Sequence, residues 1–396
     1  MPDLVLRWNP RYLQHVADPP DTAPVLRLAG LTPAEAAALR EGAAAVGAAA
    51  LIGPRGALVH GTPEQHVALA TELAERPAPA PSLGQAIAAT WRHQYGPPPP
   101  PTQVGAAQWH WGHRTYVMGI LNVSPDSFSG DGLAGIEAAV ARARAFAAAG
   151  ADLLDVGGES TRPGFTPLSV EEELERVLPV LRALREAVPL PLSIDTYKPP
   201  VAEAALAAGA CVINDITGLR DGPALATLAA RHGAALIVMH NRPAPAAVGP
   251  LGGHNPTVAY DDLLGEVLAE LRTAIARAVD AGLPPAQVLV DPGIGFGKTR
   301  EQNLVLLARL GELRALGHPI VLGSSRKSVI GLTLGVPPHE RIEGTAATVA
   351  LGIRAGADVV RVHDVREMAL VARLSDAIAR GGLRGTQPTP PAGRLE

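Results

Sequence analysis

Lysine, cysteine and aromatic residues are scarce in this chain of 396 residues. Three lysines stand among 34 lysine and arginine residues, one cysteine is present, and aromatic residues make up 3% of the sequence. The single cysteine, Cys211, excludes an internal disulfide and is typical of a reducing compartment, so we expect a cytoplasmic protein. With so few aromatic side chains, a folded core has to be filled mainly by Ala, Leu and Val.

Strong net charge and long apolar runs are also missing. The formal net charge is −4 and charged residues make up 18%, so no basic surface predicts nucleic-acid binding. The longest uncharged apolar stretch, residues 43–53, is too short to span a bilayer. The N-terminus lacks the cationic region and apolar core of a signal peptide. We expect neither a nucleic-acid partner nor a membrane partner.

Five consecutive prolines at residues 97–101 indicate the main boundary in the chain, because such a run forms a stiff extended spacer. Residues 1–96 are predicted to form a small α+β module, with helices that begin after Thr32 and Thr62. Residues 97–115 are predicted to be a linker, residues 116–380 the main domain, and residues 381–396, rich in Gly and Pro, a disordered tail. No lysine precedes Lys198, which excludes a lysine-dependent aldolase or a P-loop kinase in the first module and favours a structural role.

From residue 116 onward, short apolar runs alternate with longer helical stretches. Eight strand-and-helix units over about 265 residues are the size and number typical of a (β/α)8 TIM barrel. A doubly wound open sheet is the alternative, but no Gly-x-Gly-x-x-Gly follows the first strand, and eight regular repeats favour closure. The predicted strands are residues 117–121, 152–156, 192–195, 211–214, 235–240, 288–291, 320–323 and 358–362.

Polar residues follow or end these predicted strands. They include Asn122, Asp195, Asn214, His240, Asp291, Lys327, Arg361 and His363. Each has an ordinary alternative role as a turn or packing residue. As a set they belong to one end of the barrel, the carboxyl end of the strands, where the active sites of such barrels lie.

The chemistry of this set indicates two kinds of ligand group. Carboxylates and an amide, on Asp195, Asn214 and Asp291, match a heterocycle that carries an N–H beside an exocyclic amino group. Arg361, His363 and Asn122 offer a guanidinium group, a ring donor and an amide, which suit an oxyanion such as phosphate. The sequence has no His/Cys cluster with zinc spacing, whereas Asn and Asp oxygens could hold Mg²⁺ if substrate phosphates supplied further ligands.

Five motifs in this region resemble the signatures of the dihydropteroate synthase family. They are Met-Gly-Ile-Leu-Asn-Val-Ser-Pro-Asp-Ser-Phe-Ser at 118–129, Asp-Val-Gly-Gly-Glu-Ser-Thr-Arg-Pro-Gly at 155–164, Asp-Pro-Gly-Ile-Gly-Phe-Gly-Lys at 291–298, Ser-Arg-Lys-Ser at 325–328 and Arg-Val-His-Asp at 361–364. The resemblance covers about residues 116–380. It implies condensation of 6-hydroxymethyl-7,8-dihydropterin diphosphate with p-aminobenzoate to 7,8-dihydropteroate and diphosphate.

The resemblance also implies roles for individual residues. Pterin would be bound by Asp195, Asn214, Asp291 and Lys327. Diphosphate would be held by Asn122, Arg361 and His363, with Mg²⁺ bound through Asn122. The ring and carboxylate of p-aminobenzoate would be bound by Thr161, Arg162, Pro163 and Ser328. Phe296 and Gly323 complete the predicted substrate-binding set, Lys327, Arg361 and His363 are its catalytic members, and a homodimer is expected.

Two other readings remain at this stage. A methyltransferase that passes a methyl group from a pterin to a corrinoid protein would share the Asp/Asn floor but would not need the Ser-Thr-Arg-Pro, Ser-Arg-Lys-Ser or diphosphate-binding residues. A non-catalytic pterin-binding paralogue would be expected to lack Lys327 or Arg361. Of the three lysines, Lys327 is predicted to be in the active site, Lys298 to brace a glycine loop and Lys198 to be structural.

Overall fold

The computed structural model describes residues 3–7, 24–54, 56–123, 132–159, 167–242, 253–254 and 258–380. Within them the α-helices are α1 (Pro33–Ala45), α2 (Pro63–Ala74), α3 (Ala80–Tyr95), α4 (Gly132–Ala149), α5 (Val170–Ala187), α6 (Pro199–Ala207), α7 (Ala224–His232), α8 (Leu263–Asp280), α9 (Arg300–Ala308), α10 (Ser328–Leu334), α11 (Ile342–Ala355) and α12 (Val365–Ala379). Short 3-10 segments occur at Pro285–Gln287, Leu310–Leu316 and Pro338–Glu340.

The strands of the described residues are β1 (Asp3–Arg7), β2 (Val25–Ala29), β3 (Ala49–Gly53), β4 (Gly56–His60), β5 (Thr102–Val104), β6 (Ala107–Trp109), β7 (Tyr116–Asn122), β8 (Leu153–Gly157), β9 (Leu192–Asp195), β10 (Val212–Asp215), β11 (Ala235–Met239), β12 (Gly253–His254), β13 (Val288–Asp291), β14 (Phe296–Lys298), β15 (Val321–Leu322) and β16 (Val359–Val362). Among the described helices, none has the length and apolar character needed to cross a membrane.

The first compact unit consists of Met1–Pro99 together with Asp261–Arg272 and Glu312–Gly317. Its antiparallel sheet has the strand order β1-β2-β4-β3. Helices α1 and α2 begin after Thr32 and Thr62, and each threonine forms a capping box with the residue three positions on. These caps satisfy N–H groups that a helix start leaves without partners, so both predicted helix starts are confirmed.

The second unit, Pro100–Tyr260 with Thr273–Gly311 and His318–Glu396, contains an eight-stranded parallel sheet. The strand order is β13-β11-β10-β9-β8-β7-β16-β15. A parallel bridge from Val290 to Ile320 joins the two ends of this order, so the sheet closes into a barrel. Every predicted barrel strand is found within one residue of its predicted bounds. The TIM-barrel prediction is confirmed.

The N-terminal end of the barrel is closed by the β5–β6 hairpin. Trp109 and Trp111, in and just after this hairpin, are buried in one apolar cluster with residues near the starts of the barrel strands, such as Met118 and Leu153. The indole Nε1 of Trp111 donates a hydrogen bond of 3.1 Å to Oγ1 of Thr102. The linker predicted at residues 97–115 did not include this hairpin. Its tryptophans are large apolar side chains of a kind that is scarce in this chain.

Candidate active site

Four barrel strands change from apolar to polar at the same level. Four residues of the buried apolar cluster are followed two positions later by a polar residue; the pairs are Leu153 and Asp155, Val212 and Asn214, Leu289 and Asp291, and Val359 and Arg361. Successive side chains of a strand alternate between its faces, so residues two apart point the same way. The polar residues therefore lie inside the barrel, one layer closer to the carboxyl ends of the strands.

Arg361 is the centre of this polar layer. Its Nε donates to Oδ2 of Asp155 at 2.6 Å, and its Nη2 donates to Oδ2 of Asp195 at 2.6 Å. Nδ2 of Asn214 donates to the same oxygen of Asp155 at 3.0 Å. The guanidinium is held by two carboxylates from neighbouring strands, and its remaining N–H groups are available to a ligand.

The charges in this layer change the acidity of Asp195. Burial raises the pKa of Asp195 to about 7; the guanidinium of Arg361 lowers it, and the carboxylate of Asp155 raises it further. A buried carboxylate resists ionisation because the charged form loses its hydration. Asp195 can therefore change its charge near neutral pH.

Asn122 ends the first barrel strand on the same side. A Cβ atom built on Gly157 would lie 3.5 Å from Cβ of Asp195 and 3.8 Å from Oδ1 of Asn122. Asn122 and Asp195 thus border the space above Gly157. The structure brings Asn122 next to the polar layer of the barrel, as the sequence predicted for a residue that follows a strand.

Lys327, Asp291 and Phe296 form a second part of the site. Nζ of Lys327 lies 4.4 Å from the centre of the Phe296 ring and donates to the carbonyl oxygen of Ile294. A Cβ atom on Gly323 would lie 3.6 Å from Oδ2 of Asp291 and 3.8 Å from Nζ of Lys327. Burial lowers the pKa of Lys327 to about 8, and Asp291 opposes that change.

Asp291 is held in place by the loop that follows it. Its Oδ1 accepts a hydrogen bond of 2.7 Å from the backbone N–H of Gly293, which leaves Oδ2 for other partners. Burial raises the pKa of Asp291, while Lys327 lowers it. Asp291 and Lys327 therefore present an acceptor and a donor of opposite charge in the same part of the site.

The glycine loop after Asp291 is a packing device. Gly293 has φ +68, and a Cβ atom there would lie 1.9 Å from the carbonyl oxygen of His240. Only glycine combines this left-handed conformation with so close an approach. Lys298 is fully buried beneath the loop, where its Nζ contacts Nδ1 of His240 at 2.9 Å and the carbonyl oxygens of Gly293 and Phe296 at 3.0 Å each. Lys298 braces the loop, as predicted.

Lys198 binds two carboxylates, Glu159 shortly after β8 and Glu173 in α5. Its Nζ donates to Glu159 and Glu173 at 2.6 Å each and to the carbonyl oxygen of Leu168 at 2.9 Å. Tyr197 donates a further hydrogen bond of 3.0 Å to Glu159. These contacts connect the residues that follow β9 with Glu159, Leu168 and Glu173, as expected for a structural lysine.

His363 and Arg326 connect the last two barrel loops. Nδ1 of His363 lies 3.0 Å from Oγ of Ser325, which also accepts the backbone N–H of His363 at 3.2 Å. Arg326 has φ 55, an uncommon value for a residue with a side chain, and its guanidinium binds both oxygens of Asp364. These contacts hold the two residues that precede Lys327, just before α10 begins at Ser328.

The structure also shows what the sequence prediction missed. Asp155 begins one of the five motifs but is not among the predicted site residues, although it binds Arg361 and Asn214. The sequence did contain an indication of this role. Asp155 is a carboxylate within an apolar strand, and it stands two positions after Leu153, so both side chains point into the barrel. The predicted residues Thr161, Arg162 and Pro163 lie outside the described residues.

A closed parallel barrel with buried carboxylates, an arginine and a lysine at the carboxyl ends of its strands defines the class of (β/α)8-barrel enzymes. Residues 118–363 match the family model described as pterin binding enzyme. The chain is 46% identical to the dihydropteroate synthase of a Synechocystis species over 71% of this chain and 96% of that protein. It is 44% identical to that of Bacillus subtilis over 68% of this chain and 90% of that protein.

Solved structures agree. A Clostridium difficile dihydropteroate synthase crystallised with pteroic acid shares 46% identity at a TM-score of 0.64, covering 69% of this chain and 99% of that one. A Xanthomonas albilineans dihydropteroate synthase with 4-aminobenzoic acid shares 42% identity at a TM-score of 0.64, covering 71% and 98%. The chain belongs to the dihydropteroate synthase family of pterin-binding enzymes. The predicted activity is confirmed: the protein is a transferase that forms dihydropteroate in folate biosynthesis.

Proposed function

We propose that the polar layer of the barrel binds the pterin ring of 6-hydroxymethyl-7,8-dihydropterin diphosphate. The observation that carries this proposal is the convergence of Asp195, Asn214, Asp291 and Lys327 around one space at the carboxyl ends of the strands. Carboxylate and amide oxygens accept the ring N–H and amino hydrogens, and Lys327 donates to ring acceptors. The flat ring of Phe296 beside Lys327 supplies an apolar surface for a planar heterocycle.

Arg361, His363 and Asn122 are proposed to hold the diphosphate. Arg361 keeps N–H groups beyond those that bind Asp155 and Asp195, and a guanidinium suits phosphate oxygens. His363 comes two positions after Arg361, directly after the end of the same strand, and is oriented by Ser325. Positive charge placed where the leaving group gains negative charge stabilises the transition state.

Mg²⁺ is proposed to accompany the diphosphate. No group of three or more His, Cys, Asp or Glu in the described part of the chain is arranged to hold a metal by itself. Asn122 offers one amide oxygen beside Gly157 and Asp195, which fits an ion that takes its other ligands from phosphates and water. When bound, such an ion would neutralise charge on the departing diphosphate.

The second substrate, p-aminobenzoate, is proposed to bind near Ser328 and near Thr161, Arg162 and Pro163. In the proposed reaction, the bond from the pterin methylene carbon to oxygen breaks, and diphosphate leaves with its electron pair. The amine nitrogen forms the new C–N bond and then loses a proton. The chain needs to position the amine and exclude water rather than supply a strong base.

The proposed reaction is tested by assaying the whole chain with pterin diphosphate, p-aminobenzoate and Mg²⁺. We expect dihydropteroate and diphosphate in equal amounts, with activity lost in a chelator and restored by added Mg²⁺. A second form that begins at Pro100, the first residue of the barrel unit, keeps the β5–β6 hairpin and shows whether the activity needs residues 1–99. Absence of both products from the intact, folded chain would contradict the assignment.

We expect kcat/KM for pterin diphosphate to have a narrow maximum between about pH 7 and pH 8. Below this range Asp195, whose pKa is about 7, gains a proton and loses its charge as an acceptor. Above it Lys327, whose pKa is about 8, loses its positive charge. The profile of kcat/KM reports groups of the free enzyme, and binding of a pterin without diphosphate separates them from titration of the substrate. A profile that stays flat from pH 6 to pH 9 would contradict these two roles.

A homodimer is proposed to form through α11 and α12. Leu370, Leu374 and Ile378 of α12 are 58%, 64% and 70% exposed, and Leu351 of α11 is 67% exposed. Residues four apart lie on one face of a helix, so α12 presents an apolar stripe, and a second copy would remove that stripe from water.

We expect Leu374→Glu to convert the dimer to a monomer, as measured by light scattering after size-exclusion chromatography. Thr227→Glu places the same charge on the exposed surface of α7 and serves as the control. A wild-type protein that is monomeric at high micromolar concentration would contradict the proposed dimer.

The free thiol of Cys211 supports the further proposal of a cytoplasmic location.

A further inference from the structure

We propose that Asp155 is a positioning residue of the reaction, which orients Arg361 and Asn214 for the pterin diphosphate. This inference rests on the proposed function and assigns a role to a residue outside the predicted substrate-binding set. Asp155 lies on β8, within the strand and one layer below Gly157. Its side chain is fully buried.

One oxygen of Asp155 connects two ligand-binding residues. Oδ2 accepts from Nε of Arg361 at 2.6 Å and from Nδ2 of Asn214 at 3.0 Å. The contact with Nε fixes the plane of the guanidinium, since Nη2 is bound to Asp195 at the same time. The contact with Nδ2 fixes which end of the Asn214 amide is nitrogen, so that its carbonyl oxygen points elsewhere. Both residues are thereby oriented before substrate arrives.

The other oxygen of Asp155 indicates that the carboxylate serves more than the stability of the barrel. Oδ1 is buried and accepts no hydrogen bond from any described residue. A buried charged oxygen without a donor costs free energy, and an apolar residue at this layer would avoid that cost, as Leu153 does one layer below. The arrangement is explained if a bound water or the substrate donates a hydrogen bond to Oδ1 of Asp155 when substrate occupies the site.

Asp155 also affects the charge state of its neighbour. The charged groups that face Asp195 are Arg361, Asp155, Glu173 and Lys327, and of the two carboxylates Asp155 has the larger influence on the pKa of Asp195. Because like charge raises the pKa of a carboxyl group, removal of the Asp155 charge lowers the pKa of Asp195. The pH profile therefore reports the charge of Asp155 beside Asp195, whereas coupling to Arg361 has to be measured separately.

The test compares Asp155→Asn and Asp155→Ala with the wild-type chain. Asn keeps an acceptor of the same shape without the charge, whereas Ala removes both. We expect kcat/KM for pterin diphosphate to fall by about 10- to 100-fold, more for Ala than for Asn, as expected when binding groups are misplaced. The acidic limb of the pH profile should move to lower pH in both variants.

Ser193→Ala is the matched control. Ser193 pairs with Asp155 in the parallel register of β8 and β9, is equally buried, and has a hydroxyl without a partner among the described residues. Its removal deletes a neighbouring buried polar atom and leaves Arg361 and Asn214 in place. We expect wild-type kcat/KM and an unchanged pH profile for this variant. If wild type and Ser193→Ala both fail to form dihydropteroate, the proposed function fails, whatever Asp155 does.

A double-mutant cycle with Arg361→Ala separates positioning from other effects. If Asp155 acts through Arg361, most of the effect of Asp155→Asn is lost when Arg361 is already absent, and only the share carried by Asn214 remains. Wild-type kinetics and pH profile for Asp155→Asn would overturn the proposal, as would fully additive losses. Failure of both Asp155 variants to fold, seen by circular dichroism, would also overturn it by assigning Asp155 to barrel stability.

Discussion

Replacement of Lys327 by alanine is expected to reduce kcat/KM by about 10²- to 10³-fold, the cost typical of removing one preorganised charged donor. Lys327 places a positive charge beside the ring of Phe296 and within the influence of Asp291 and Asp195. Without it, the two carboxylates face the substrate with less compensation, and the pKa of Asp291, which Lys327 lowers, rises. Fewer enzyme molecules then present an ionised acceptor.

The fold is expected to tolerate this change, because Lys327 precedes α10 and its ammonium group binds only a loop carbonyl among the described hydrogen bonds. Lys327→Met keeps the apolar stem against Gly295 and should lose activity to a similar degree. Lys298→Met provides a contrast, because Lys298 braces a loop through three backbone carbonyl oxygens and His240. We expect this substitution to lower the melting temperature of the protein. A folded Lys327→Ala enzyme with near-normal dihydropteroate formation would refute the assignment.

Replacement of Arg361 by alanine is expected to weaken binding of the diphosphate substrate roughly 10- to 100-fold more than binding of a pterin without diphosphate. A hydrogen bond to a charged group contributes about 1.5–3 kcal/mol, and only the diphosphate substrate uses the phosphate contacts of Arg361. Bare pterin should also lose some affinity, because Arg361 lowers the pKa of Asp195. Isothermal titration with both ligands measures the two losses, and equal losses would remove Arg361 from the diphosphate site.

Arg361→Ala should also destabilise the barrel. The change leaves the carboxylates of Asp155 and Asp195 without the cation that both of them bind at 2.6 Å. Breaking a buried ion pair by removing one partner typically costs about 3–5 kcal/mol. Arg361→Lys restores the charge but cannot span two carboxylates with a planar fork, so it should recover stability only in part. Chemical denaturation of the three proteins tests this order.

Much of the fold could be read from the sequence because its signals are local. The barrel strands are buried on both faces and appear as short apolar runs, and the helices between them begin with recognisable caps such as Ser169 with Glu172. The β5–β6 hairpin was missed because it is short and follows five prolines. Its structure depends on contacts of Trp109 and Trp111 with strand residues distant in sequence.

The sequence predicted at which end of the barrel the candidate residues lie, but not which of them bind one another. One end of the barrel carries Asp195, Asn214, Asp291, Lys327 and Arg361, because each of them lies near or after the carboxyl end of a parallel strand. The sequence assigned Arg361 only to diphosphate, whereas the fold binds it to two carboxylates. Asp155 was missed for the same reason, since its partners are 59 and 206 residues away along the chain.

The sequence by itself determined the closed barrel, the family and the end of the barrel at which the chemistry takes place. Periodicity, caps and motif order are properties of neighbouring residues, and they do not depend on knowing the folded chain. Tertiary structure alone decided which charges share a partner, and therefore that burial raises the pKa of Asp195 to about 7 and lowers the pKa of Lys327 to about 8. Burial and the distances between charged groups set these values, and both arise only when distant strands meet.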